Sequence, residues 1–528
     1  MQRRILLRRG FYLGLLIALM FLPRGVDHGW AQAQGGDLEL LKKQVRQLMR
    51  QEVERQQQIR ALQKQEMERQ QQIRALQEQI ERLEAERAKP QPPQAPASAL
   101  DRALEELPAT PAPSTEPTAP SLVSGQTGGA TFRLIDVSAI INMAVGGSTE
   151  PDSRLSFLQL GGHDPRQNGF TLQATEISLA GAVDPYFSGE VHLNFLDQNG
   201  ETLAELEEAF LTTQALPFGL EVEAGLMLTE FGIINTQHSH SWDWQDQPIV
   251  ASRMFGPDGQ RLVGARLGWL VPVPWFAQLH IGVQNARSNL APSFNGAFHM
   301  HGGGEEGGHS HGGEEEEETV VGQRPLVQQR VEGPEDMLYL VRLENSWELP
   351  QQITAKFGLS SLFGPNASGP DGRSIVAGAD LKMTWRPARN FRGWPFLKWQ
   401  SEFMWRDYKA DDFQAEEPDE AIQQLDSDHL RGYGFYSQLL YGFRHGWAAG
   451  VRVEYANGEG NSVEGRSQDP LRDERFRLSP QLVYWPTEFS RLRLQYNYDW
   501  ADHLDDNDAH TVWLGLEAQF GPHPAHQY

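Results

Sequence analysis

Arg491-Leu492-Arg493-Leu494-Gln495-Tyr496-Asn497-Tyr498-Asp499-Trp500 alternates without a break, with polar residues at the odd positions and apolar residues at the even ones. A strand turns successive side chains to opposite faces, so this stretch sorts itself into a wet face and an oily face. The next run does the same. Val512, Leu514, Leu516, Ala518 and Phe520 share one side, and Thr511, Glu517 and Gln519 take the other. Runs of about ten residues, aromatic toward their ends, fit strands that cross a bilayer with lipid on one face and water on the other.

Working outward, about sixteen such runs are found. They lie near 132–146, 169–183, 186–196, 203–213, 220–230, 261–270, 275–286, 336–348, 352–363, 373–386, 395–407, 429–443, 447–456, 474–485, 488–500 and 510–520. Their connections alternate between long and short. The short ones include Asp184-Pro185, Leu216-Pro217-Phe218-Gly219, Pro272-Val273-Pro274, Leu349-Pro350, Arg444-His445 and Trp485-Pro486-Thr487. Most carry Pro, which cannot sit inside a paired strand. The others are mostly long, acidic and Gly-rich, with Asp197-Gln198-Asn199-Gly200 an exception. The expected fold is therefore all-β: a transmembrane antiparallel β-barrel of about sixteen strands over 131–520, with an α-helical coiled coil before it. A soluble sandwich or propeller is the competing fold, but its loops would be similar at both ends.

The N-terminal quarter reads differently. Arg3, Arg4, Arg8 and Arg9 precede the apolar run Phe11–Leu22, and Ala31-Gln32-Ala33 supplies a cleavage site, so 1–33 is expected to be a signal peptide. Residues 37–89 hold heptads, with Leu38, Val45, Ile59, Ile73 and Ile80 at a and Leu41, Leu48, Leu62, Leu76 and Leu83 at d. Glu52 and Glu66 at a, with Arg55 and Arg69 at d, add polar layers that can fix register. Such a helix needs partners, so a homo-oligomer held by a rod of roughly 75 Å is expected. Residues 90–130 form a Pro/Ala-rich linker and 521–528 a tail.

Composition narrows the function. The 528 residues carry a formal charge of −24, which excludes a basic nucleic-acid face. Mean hydropathy is −0.51, a value that alternating strands produce without excluding a membrane. Cys is absent, so neither disulfides nor thiolate chemistry are available. No G-x-S-x-G, H-E-x-x-H or P-loop motif occurs, and no enzyme is expected.

Three features carry a resemblance. Glu207-Glu208-Ala209-Phe210-Leu211 is followed by Leu216-Pro217-Phe218-Gly219-Leu220 and Glu223-Ala224-Gly225, Phe231-Gly232 opens a long loop, and the last strand ends in Phe520. In these the chain resembles Gram-negative outer-membrane porins, especially the phosphate-selective porin-like group. The resemblance implies an outer-membrane channel for passive diffusion of small hydrophilic solutes or ions, embedded in lipid, with the coiled coil in the periplasm, able to reach peptidoglycan. It also implies that the 231–260 loop folds inward as a constriction. His238-Ser239-His240-Ser241-Trp242-Asp243 is in addition similar to porin-like proteins labelled zinc-regulated TonB-dependent receptors, so a metal-linked uptake receptor is the alternative. A TonB-dependent transporter has about twenty-two strands around a plug, and 90–130 is too short and Pro-rich to form one. A closed barrel serving as a tether is a third reading.

Two sets of residues are candidate sites. Arg452, Arg475, Arg477, Arg491 and Arg493 lie on the polar phase of neighbouring strands and are expected to line the pore. Facing lipid would cost each ~2–4 kcal/mol at mid-membrane. The competing role is structural pairing with Glu454, Asp499 and Glu517. His238, His240, His299, His301, His309 and His311 are the metal candidates, because H-x-H on extended chain sets both imidazoles to one side. No cofactor is required; zinc or a similar divalent ion is the expected occupant. The competing role for His238 and His240 is ordinary hydrogen bonding in a packed loop. The His-rich, acidic tract 299–318 would capture metal only loosely, or be a plain surface loop.

Overall fold

The computed structural model describes residues 123–127, 130–198, 201–286, 291–296, 319–327, 330–415, 422, 424–460 and 469–521. The expected signal peptide, coiled coil and most of the linker and tail lie outside these residues, as do His299, His301, His309 and His311.

Sixteen antiparallel strands close into a barrel. They are β1 Ala130–Ser148, β2 Gly169–Ala182, β3 Phe187–Gln198, β4 Glu201–Thr213, β5 Leu220–Leu228, β6 Arg261–Leu270, β7 Phe276–Asn285 and β8 Met337–Leu349. The second half comprises β9 Ile353–Pro365, β10 Arg373–Trp385, β11 Phe396–Ala410, β12 Asp428–Arg444, β13 Trp447–Glu459, β14 Arg475–Thr487, β15 Ser490–Ala501 and β16 Asp508–Phe520. Each strand pairs with the next in sequence. β16 returns to β1 from Ala139↔Phe520 through Ser148↔Thr511, so the described barrel has no open edge. A short leading strand, Val123–Thr127, folds back on the start of β1.

The alternation seen in sequence is obeyed in space. In β15, Arg491, Arg493, Gln495, Asn497 and Asp499 are buried toward the interior, and Leu494 is exposed outside. Leu267, Ile281, Leu343, Leu359, Phe403, Leu439, Leu494 and Leu514 all belong to the exposed outer surface. At the short-turn end this surface carries Phe187, Trp275, Phe276, Tyr441, Phe443 and Phe520, and Trp447 stacks on Tyr484 at 4.5 Å. Near the other end Tyr339 stacks on Phe363 at 5.4 Å. Apolar residues between two aromatic rims match the lipid-facing band of a membrane barrel.

Among the register shifts of the described strands, two β-bulges bear on the interior. β3 pairs His192↔Glu208 and then Leu193↔Leu206, which leaves Glu207 as an extra residue in β4. β1 pairs Asn142↔Ala174 and then Met143↔Leu172, which leaves Gln173 extra in β2. A bulge re-aims side chains, so Glu207 and Glu208, adjacent in sequence, are both buried inside.

The expected strand at 220–230 ends at Leu228, because Thr229 turns the chain into the lumen: Phe231 N–H donates to Thr229 O at 2.7 Å. Two short helices stand in connections expected to be irregular, α1 Asp152–Leu158 and α2 Ile249–Phe255. Pro248 before α2 and Gly256 after it, at φ +81°, are the helix-entry and helix-exit residues that chain stereochemistry favours.

Candidate functional site

The 229–260 segment crosses the barrel interior and ties to walls far apart in sequence. At its start, Ile233 and Ile234 donate their N–H groups to the Glu402 carboxylate of β11 at 2.9 and 2.8 Å. That approach needs Gly232, which sits at φ +64° where a Cβ would overlap Glu402 Oε2. Further on, Trp244 Nε1 donates to Ser479 O of β14 at 3.0 Å, and Gln245 N to Gln495 Oε1 of β15 at 3.0 Å. Ile249 N donates to Glu454 Oε2 of β13 at 2.7 Å. All of α2 is buried, and Val250, Met254 and Phe255 join Leu340, Leu362, Val376 and Met404 from the walls in one apolar cluster. The segment thus fills much of the interior toward the long-loop end.

The five arginines all face inward and lie under this segment, at 3% exposure or less. Arg475 and Arg477 pair with Asp499 at 2.6 and 2.8 Å, Arg452 with Glu454 at 2.7 Å, and Arg491 and Arg493 with Glu517 at 2.5 and 3.3 Å. The interior direction and the carboxylate pairing therefore occur together. Asp246 binds this group to the segment. Its carboxylate pairs with Arg452, accepts from Arg477 at 3.0 Å, and accepts from Gln495 and Asn497 at 2.8 Å each. Burial works against the Asp246 charge, but Arg452, Arg477 and these hydrogen bonds outweigh it and hold the carboxyl at about 2. Remaining guanidinium N–H groups meet segment carbonyls: Arg493 Nη1 donates to Trp242 O at 3.1 Å and to Trp244 O at 2.9 Å. A run of exposed carbonyls and one carboxylate is what buried guanidinium forks can satisfy.

On the β2–β4 wall the segment meets different chemistry. His238 Nε2 lies 2.8 Å from Glu208 Oε2, and its Nδ1 lies 3.2 Å from Glu207 Oε2. His240 Nδ1 lies 2.8 Å from Glu176 Oε2. His192 of β3 lies against His238, ring centroids 4.5 Å apart and planes tilted by 39°, with its Nδ1 3.3 Å from Glu176 Oε1. His238 and His240 are themselves 5.7 Å apart and stacked, but across a 3-10 turn at Ser239–Ser241 and not on the extended chain expected for the H-x-H pair. Their neighbours Glu176, His192, Glu207 and Glu208 were not identified from sequence. Glu207-Glu208 was visible as a motif, but a strict period-two reading sends one of the pair outward. Only the bulge brings both in.

The third feature is a cavity of about 380 Å³ between the segment and the β8–β10 wall. Gly232, Ile233, Thr236 and Gln237 form one side. The facing wall carries Arg342, Lys356, Lys382 and Arg386 against the single acid Glu344. Arg342 is held by Asp380 at 2.6 Å and Lys356 by Glu344 at 3.2 Å. Lys382 and Arg386 have no ion-pair partner among the described residues. Gln352 and Arg386 place the cavity toward the short-turn end. These cations were not singled out from sequence, because bringing Lys356 opposite Lys382 and beside Arg342 takes the register of β8, β9 and β10.

No family model matches the chain. An uncharacterised protein of Aquifex aeolicus (strain VF5) is 26% identical over 421 residues, which span 75% of this chain and 80% of that protein. Among solved structures, the chain is similar to the outer membrane channel DcaP of Acinetobacter baumannii, at TM-score 0.44 and 9% identity, covering 73% of this chain and 97% of that one. It is also similar to an anion-selective porin from Comamonas acidovorans, at TM-score 0.43 and 9% identity, covering 73% and 99%.

Proposed function

We propose that this protein is an outer-membrane channel through which small hydrophilic solutes or ions diffuse passively, with the 229–260 segment as its constriction and a preference for anions. The observation that carries the reading is the polar cavity between that segment and β8–β10, where four cationic side chains face one carboxylate. A basic wall in a water-accessible passage raises local anion occupancy. A barrel with an apolar outer band, two aromatic rims and a polar interior supports the membrane placement. Both ends of the barrel chain, Ala130 and Phe520, emerge on the short-turn side, which in such barrels is the periplasm. A coiled coil over 37–89 would then lie in the periplasm, joining copies of the chain or reaching peptidoglycan.

The uptake-receptor alternative is not favoured, since the barrel closes with sixteen strands where a TonB-dependent transporter has about twenty-two. Planar-bilayer recording tests the proposal. Discrete conductance steps are expected, with a reversal potential in a KCl gradient on the anion-selective side. Lys382→Glu/Arg386→Glu should move that potential toward cation selectivity. Absence of steps from correctly folded protein would favour a closed tether, and an unmoved reversal potential would remove the cavity from the conduction path.

A further inference from the structure

We propose that Glu176, His192 and His238 bind a divalent transition-metal ion that pins the inward segment to the β2–β4 wall. One ligand atom from each of the three lies within 4.8 Å of the other two. Ligands of a tetrahedral zinc, with bonds of about 2.0–2.2 Å, stand about 3.3 Å apart, so small side-chain rotations close the set around an ion. The three residues come from β2, β3 and the segment, and no two are neighbours in sequence.

A second observation points to the same place. Glu207 Oε2 and His238 Nδ1 face each other at 3.2 Å, both buried, as an ion pair whose alignment falls short of hydrogen-bond geometry. Glu207 is only 3% exposed, and the β4 bulge aims this oxygen into the cluster. Leaving buried polar atoms unmatched is costly, and an ion between them would satisfy both. Charge agrees. Glu176, Glu190, Glu207 and Glu208 surround the imidazoles, and the nearest guanidinium, Arg261, is 3.8 Å from Glu207 while also pairing with Glu205. With neutral imidazoles, which are the metal-binding form, the cluster holds a net negative charge that a dication offsets.

The surroundings are those of an oriented ligand set. Ser178 Oγ donates to Glu176 Oε1 at 2.8 Å, and His240 Nδ1 holds Glu176 Oε2 at 2.8 Å, so His240 acts as a positioning residue for the carboxylate. The His192 and His238 side chains keep 12% and 14% exposure, which leaves the cluster an approach from the lumen. Imidazole with carboxylate suits zinc, nickel or copper(II) better than calcium or magnesium, and the chain has no Cys to recruit softer ions.

The test uses the full chain in detergent, stripped with a chelator and titrated with Co²⁺, then Zn²⁺. Wild type should take up one more Co²⁺ equivalent than His192→Asn/His238→Asn, with visible d–d bands that Zn²⁺ abolishes. The 299–318 tract is present in both, so it cancels in the difference. Glu176→Gln should weaken this equivalent by about 10–100-fold or more. Should the double variant lose its heat-modifiable gel shift, the wild type alone decides: Zn²⁺ should protect His192 and His238 from diethyl pyrocarbonate, read by mass spectrometry. Equal stoichiometry and spectra in the two folded proteins, or equal labelling with and without Zn²⁺, would overturn the site and leave imidazolium–carboxylate pairs in its place. Pinning of a constriction rests on the channel reading, but metal uptake is measured without current, so a barrel that does not conduct leaves the metal site standing.

Discussion

Replacing Asp246 with Asn should unlatch the inward segment without dismantling the barrel. The two side chains have nearly the same shape, so packing is retained and only charge and one acceptor are lost. The amide introduced there would point an N–H group at guanidinium N–H groups from Arg452 or Arg477, both of which Asp246 now neutralises. Removing one partner of a buried pair costs ~3–5 kcal/mol, because the surviving charge is left without compensation. Glu454 and Asp499 still stand 2.7 and 2.8 Å from these arginines, which places the cost toward the low end of that range. At 1.4 kcal/mol per decade, the detached population rises about a hundredfold, reaching a few thousandfold at the high end. The barrel strands keep their ladders, so the loss falls on the segment. Single-channel recording should show larger or flickering conductance in Asp246→Asn, and limited proteolysis should cut within 236–260.

Acidification of the wild type probes the same group. Its carboxyl is held at about 2, below its ordinary value of 3.8. The stabilisation is therefore complete above about pH 4 and is lost only as pH falls through about 2. The wild-type latch should hold from pH 8 to pH 4, and the variant should be loose throughout. Wild-type conductance and protease resistance in Asp246→Asn would refute the argument that this buried carboxylate secures the segment.

Three further substitutions probe other contacts. Gly232→Ala places a side chain at φ +64° and against Glu402, costing about 1–2 kcal/mol from the backbone alone; a normal proteolysis pattern would contradict the tie between Ile233, Ile234 and Glu402. Trp244→Ala removes a buried ring that packs with Trp394, Phe396, Leu440 and Val483, at ~3–5 kcal/mol, and should enlarge conductance; an unchanged current would place the constriction elsewhere. Leu514→Arg puts a charge at the middle of the outer face of β16, at ~2–4 kcal/mol, and should lower folding yield into vesicles; undiminished yield would count against lipid at that face.

Strands were legible because every one obeys the same two-sided solvent condition, and β15 and β16 show it without interruption. The site was less so. A bulge inserts one residue into the alternation, so a strict two-residue period does not show that Glu207 and Glu208 both point inward. Asp246 could not be matched to Arg452 and Arg477 from sequence, because the match depends on where a segment more than two hundred residues away docks. α2 had a usable signal in Pro248 and Gly256, but seven residues give too few turns for an apolar period to stand out.

Two of the segment's attachments differ in their chemistry. Toward β13–β15 it offers carbonyls and a carboxylate to fixed arginines, and that carboxylate keeps its charge above about pH 4. Toward β2–β4 it offers His238 and His240 to Glu176, Glu207 and Glu208, a contact of imidazoles with carboxylates. The β8–β10 cavity borders Gly232, Ile233, Thr236 and Gln237, between the Glu402 tie and His238. On this arrangement a change at the His–Glu cluster should alter conductance while the arginine side stays docked, whereas Asp246→Asn should release the opposite end and leave His238 on its carboxylates.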